Sequence, residues 1–131
     1  MLSRKDIKKI AKTRLTDARI LLNNKRWDGA VYLCGYAIEL GLKCKICEIL
    51  NWQEYPETRS EFNDYRTFKT HNLDVLLHLS GIESHIKANY LSDWSIVAKW
   101  KPEARYEPVG KVRLSDAKEM LKATQKLLKA L

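Results

Sequence analysis

His71 is the side chain best suited to chemistry. An imidazole with an ordinary pKa of about 6.5 can take a proton from a ribose hydroxyl or give one to a leaving oxygen. Such a group needs a cation to hold the phosphate. Arg66 and Arg105 qualify, because a guanidinium stays charged and offers a planar fork to two phosphate oxygens. The alternative for His71, at the start of a predicted helix, is to support a turn. A second group, Lys99, Lys101, Arg105 and Tyr106, gathers around Pro102, where a rigid corner bearing cations and a ring suits phosphate capture with base stacking. These four are the candidate nucleotide- or RNA-binding residues. Against that stands a structural clamp, with Arg105 paired to a carboxylate such as Glu39 and Tyr106 packed on Trp100. Glu39 lies in the most apolar stretch of the chain and must be paired there, with Lys43 one turn on or Arg105 as the available cations. His78 and His85 are expected at the surface.

The three cysteines, Cys34, Cys44 and Cys47, are an odd number, so free thiols in a reducing compartment are expected. Cys44 and Cys47 have CxxC spacing, but a structural zinc site wants four ligands and only Cys34 and scattered histidines could complete it. Neither a metal nor a cofactor is expected.

The elements that carry these residues follow from composition and periodicity. With 131 residues, 45% of them apolar, the chain suits one domain over residues 1–131 and excludes global disorder. The longest stretch nearly free of charge, residues 30–42, is too short to cross a bilayer. Lys5, Asp6, Lys8 and Lys9 stand where a signal peptide would be apolar, so a cytoplasmic location is expected. The net charge of +8 is concentrated at the ends: nine basic and two acidic residues in 1–26, six and ten in 27–98, nine and four in 99–131. If the two ends meet, they form a basic surface that attracts polyanions, with a solvated lysine face as the bland alternative.

Apolar residues recur at helical spacing from Ile7 to Leu22 behind Ser3, a predicted N-cap. Asn23 and Asn24 break that helix. Asp28 is read as the cap of a second, nearly all-apolar and therefore central helix reaching Ile49. Residues 51–70 read as a long polar connection with one helical turn. Its rings Trp52, Tyr55, Phe62, Tyr65 and Phe68 call for a core or another chain, and hence for a homodimer or a heteromeric partner. Thr70 is expected to cap a short third helix closed by Gly81, a fourth runs over about 83–100 until Pro102, and Ser115 caps a last one ending near Leu131. No strand is expected. The result is an all-α, antiparallel up-and-down bundle of four to five helices.

Several of these signals occur together in a known order: Asp17-Ala18 with Leu21-Leu22, then Trp27-Asp28-Gly29-Ala30, then Gly35-Tyr36-Ala37-Ile38-Glu39-Leu40-Gly41-Leu42-Lys43. Thr70-His71-Asn72-Leu73 and Trp100-Lys101-Pro102-Glu103-Ala104-Arg105-Tyr106 follow. Over roughly residues 5–130 the chain resembles the HEPN family of small helical bundles. The resemblance implies nucleotide or RNA binding, frequent homodimers, and partnership with a minimal nucleotidyltransferase, often as toxin and antitoxin. Many members are metal-independent endoribonucleases that use an arginine and a histidine four to six residues apart. Arg66 and His71 have that gap here, although they precede the third helix whereas the family's pair lies late in the bundle; at the late position stands Arg105-Tyr106 without a following histidine. A third alternative is a dimerising adaptor with no ligand.

Overall fold

The computed structural model describes residues 2–131. Ser3 caps the first helix as its position predicts: its hydroxyl accepts from the Asp6 N–H at 3.1 Å, and α1 runs Arg4–Asn23. Lys25 takes a left-handed φ of 61°, and the chain doubles back after residues 24–26. The return helix, α2, spans Trp27–Leu50 and is the axis of the molecule. Cys34, Ile38, Leu42 and Ile46 are fully buried. Each such aliphatic chain contributes about 1.5–3 kcal/mol by leaving water, so the all-round apolar pattern of α2 is satisfied only at the centre.

Around α2 pack α1, the short α3 (Leu73–Leu79) and the last helix, α6 (Leu114–Ala130). Between α3 and α6 lie α4 (Glu83–Asn89) and α5 (Leu91–Val97), and α5 packs on α6. The Trp94 indole N–H donates to Asp74 at 3.1 Å, tying α5 to α3. The fold is the expected all-α bundle, with six helices among the described residues because the predicted fourth one is two. Tyr90, at φ −134° and ψ 29°, leaves helical geometry and separates α4 from α5.

Other local expectations are corrected. A small antiparallel sheet exists: Leu2–Ser3 (β1) pairs with Glu54–Tyr55 (β2). Asp28 does not cap α2; it lies inside the first turn, and its carboxylate accepts from the backbone N–H groups of Gly110 and Val112 at 2.8 and 3.2 Å. The cap of α3 is Asn72, which accepts from Val75 N–H, while Thr70 accepts from Asn72 N–H. The last helix starts with Asp116 accepting from Arg113 N–H at 3.1 Å instead of with Ser115. At α3 and α6 a short polar side chain near the boundary takes a free amide, but not the side chain that spacing alone selects, while α2 starts with no side-chain cap.

The rings of the 51–70 connection meet one another inside the chain. Trp52 packs at a steep tilt against Phe68, ring centres 5.0 Å apart, and edge-on to Tyr65 at 5.2 Å, Tyr55 and Phe62 are buried beside them, and the Tyr55 hydroxyl donates to the Phe68 carbonyl at 2.6 Å. They form a small aromatic annex to the main core, so these rings by themselves do not require a second chain.

Candidate functional site

Polar groups interrupt the apolar surface of α2 along one stripe, Tyr32, Tyr36, Glu39 and Lys43, at spacings of four, three and four. Glu39 is only 2% exposed. One carboxylate oxygen takes the Lys43 ammonium at 3.1 Å and the other meets His71 Nδ1 at 3.0 Å. Both oxygens are thus occupied, and Lys43 is the partner that its one-turn spacing predicts. Arg105 is not.

His71 sits in the extended segment before α3, with 60% of its side chain exposed. Glu39 holds Nδ1, which leaves Nε2 as the nitrogen free to exchange a proton. Arg66 begins the 3₁₀ turn Arg66–Phe68, exposed and without any side-chain hydrogen bond or ion pair, so no contact joins it to His71. His78 and His85 are exposed, as expected.

The second group is carried by the 3₁₀ turn Pro102–Tyr106, where proline occupies the first position. Behind it Trp100, 7% exposed, lies against Tyr32 and Tyr36 with ring centres 6.1 and 6.0 Å away. The ring covers Gly35 so closely that a Cβ there would stand 2.1 Å from it. This indole fixes the height of the turn above α2.

From that base Arg105 points into solvent. Its guanidinium lies 4.8 Å from the centre of the Tyr106 ring, which is itself 78% exposed, and has no carboxylate partner among the described residues. The Tyr32 hydroxyl, and after it that of Tyr106, hold its pKa above the ordinary value. Tyr36 stands between the two groups: burial first, then the Glu39 charge, raises its hydroxyl, while Arg105 pulls it back.

Three of the four predicted binding residues divide over two sides of the turn, and Tyr106 lines neither cleft. Lys99 and Lys101 line an open cleft of about 350 Å³ floored by Val31, Trp100 and Met120, with Glu107, Asp116 and Glu119 also on its wall. Arg105 lines a neighbouring one of about 260 Å³ with Tyr32 and Asp28. Lys111 lines both. Sequence reasoning missed Lys111, Tyr32 and Tyr36; for the tyrosines the signal was available, as hydroxyls recurring at one-turn spacing with Glu39 in an otherwise apolar helix. Asp28 holds the 110–112 loop that carries Lys111. Among the described residues no three histidine, cysteine or acidic side chains stand close enough to share a metal, and no helix is long and apolar enough to cross a membrane.

The fold is an all-α bundle built around one long central helix. The HEPN domain model matches residues 5–60, the span of α1, α2 and β2, so the hairpin at the heart of the fold is similar to that family. Tyr32, Tyr36, Glu39 and Lys43 fall inside the matched span; His71, Lys99, Lys101, Arg105 and Tyr106 lie beyond it. No curated protein and no solved structure matches the chain.

Proposed function

We propose that the protein binds a nucleotide or RNA at the Pro102–Tyr106 corner. One observation carries this reading: an exposed guanidinium with no carboxylate partner among the described residues, stacked at 4.8 Å on an exposed tyrosine, beside clefts lined by Lys99, Lys101 and Lys111. The guanidinium can grip phosphate oxygens while the adjoining ring accepts a base on its free face. The structural clamp loses its support, since both oxygens of Glu39 are taken and Tyr106 packs on no other ring. With the family resemblance, we further propose that the chain forms a homodimer in the cytoplasm and acts with a minimal nucleotidyltransferase as half of a toxin–antitoxin pair. Fluorescence anisotropy with a labelled single-stranded RNA and with free nucleotides, over a salt series, tests the binding. Affinity should fall as salt rises, and Arg105→Ala and Tyr106→Ala should each weaken it about tenfold, since stacking one base is worth about 1–3 kcal/mol. Binding without salt dependence, or unchanged in both variants, would overturn this site, and no binding at all would leave the ligand-free adaptor.

A second reading is favoured by the Glu39–His71 contact: a metal-independent endoribonuclease in which His71 Nε2 moves the proton and Arg66 or Arg105 holds the phosphate. RNA incubated with the protein in chelator should then yield cyclic-phosphate ends, lost in His71→Ala. Intact RNA with the wild-type protein would eliminate this reading.

A further inference from the structure

The basic ends of the chain do meet. α1 and α6 touch as they flank α2, and between the three helices lies a pit of about 80 Å³ walled by Ala11, Gly41, Leu128 and Leu131. Leu128 and Leu131 press on Gly41 so closely that a Cβ there would come within 2.8 and 2.9 Å of them. Lys8 and Lys12 stand on the rim, exposed and without an ion pair among the described residues, and the one carboxylate of the lining, Glu48, is held by Lys45 at 3.5 Å. An apolar floor beneath two uncompensated ammonium groups asks for a ligand with an aliphatic anchor and flanking negative charge.

We propose that this groove docks an acidic amphipathic helix of a partner protein, one aliphatic side chain entering the pit and carboxylates meeting Lys8 and Lys12. Three features select that occupant over nucleic acid. The pit has about half the volume of a ~150 Å³ cavity that accepts benzene, so it admits a branched aliphatic group but not a nucleobase. Neither an aromatic ring nor a guanidinium lines it, whereas the Pro102–Tyr106 corner has both, so it offers no stacking platform or phosphate fork. Lys8 and Lys12 are four residues apart on α1, about 6 Å along the axis, the same spacing at which a helix presents glutamates at i and i+4. The occupant therefore lies alongside α1 in the helix-in-groove manner.

The test uses the full chain and a fluorescent helical peptide with leucines at alternating three- and four-residue intervals and glutamates between them. A peptide of the same composition in scrambled order is the control. The ordered peptide should bind at least about tenfold more tightly than the scrambled one, and Lys8→Glu with Lys12→Glu should cost about tenfold or more. Both sites are exposed on a helix, and circular dichroism verifies the fold; Lys8→Gln with Lys12→Gln, which adds no repulsion, should lose less. Equal binding of the scrambled peptide, or unchanged affinity in the glutamate variant, overturns the proposal. So does a larger loss of affinity for single-stranded RNA than for the peptide in that variant.

Discussion

Replacing Gly35 by alanine should destabilise the protein by about 3 kcal/mol, although alanine is the better helix former. The added methyl would lie 2.1–2.2 Å from three atoms of the Trp100 indole. An unstrained carbon contact needs about 3.5–4.0 Å, so the ring must retreat by roughly 1.5 Å. Tyr32 and Tyr36 flank it on α2, so it must shift away from that helix. The ring lifts and gives up most of its burial. Overpacking of this kind costs about 1–3 kcal/mol, and complete loss of a tryptophan's packing about 3–5. With most of the indole's packing lost the cost is about 4 kcal/mol, and after the gain of about 1 kcal/mol from alanine in a helix interior a net loss near 3 kcal/mol remains. Urea unfolding followed by circular dichroism reads it directly, and a thermal melt should show a fall in Tm of about 10 °C for a chain this long. The decisive comparison is the same substitution in a Trp100→Leu background. With the indole gone the methyl meets little, and Gly35→Ala should become neutral or mildly stabilising. An equal cost in both backgrounds, or under about 1 kcal/mol in the wild type, would refute the reasoning.

Asp28→Ala removes the acceptor for two loop amides at a global cost of about 1–2 kcal/mol. Its sharper effect is local: tryptic cleavage after Lys111 and Arg113 should accelerate about tenfold, and an unchanged cleavage rate would contradict the anchoring role. Glu39→Gln leaves Lys43 and His71 to share a neutral amide in place of a carboxylate, and should cost about 2 kcal/mol by urea unfolding, because a mostly buried ammonium loses its counter-charge. Burial pushes the Cys34 thiol up from 9.0 to about 11. The unfolded chain then releases its proton first as pH rises, so this contribution is fully present below pH 9.0 and is lost between there and about 11. Stability measured across that window should fall by up to about 2 kcal/mol more in the wild type than in Cys34→Ala, and identical profiles would count against the shift.

The helices that can be read from the chain are those whose boundaries and faces are set locally. Ser3 and the three-and-four spacing of α1 and α6 are such signals, and so is the all-apolar α2, whose centrality follows from having no face fit for water. The break at Tyr90 is not legible, because apolar spacing runs through it and the interruption lies in one residue's dihedrals. The β1–β2 pair joins two-residue segments some fifty positions apart, too short for alternation to register. Asp28 misleads for a related reason: an aspartate beside a helix start is usually a cap, and nothing nearby tells of amides more than eighty residues on. For the site, the pairing of Glu39 with Lys43 was readable from their spacing, as was the Arg105-Tyr106 corner beyond Pro102. That His71 completes the Glu39 pair, and that Tyr32 supports Arg105, depends on how α2 faces the loops, which the order of residues does not display.

The placement of α2 between α1 and α6 also sets the order in which the molecule can be completed during synthesis. α1 precedes α2 and can cover one flank at once, but α6 ends at Ala130, eighty residues after Leu50. At about 5–20 residues per second the other flank stays bare for roughly 4–16 s. During that interval the nascent chain exposes its greasiest helix to chaperones and to neighbouring polypeptides, so a ribosome stalled before α6 would release a fragment prone to clump.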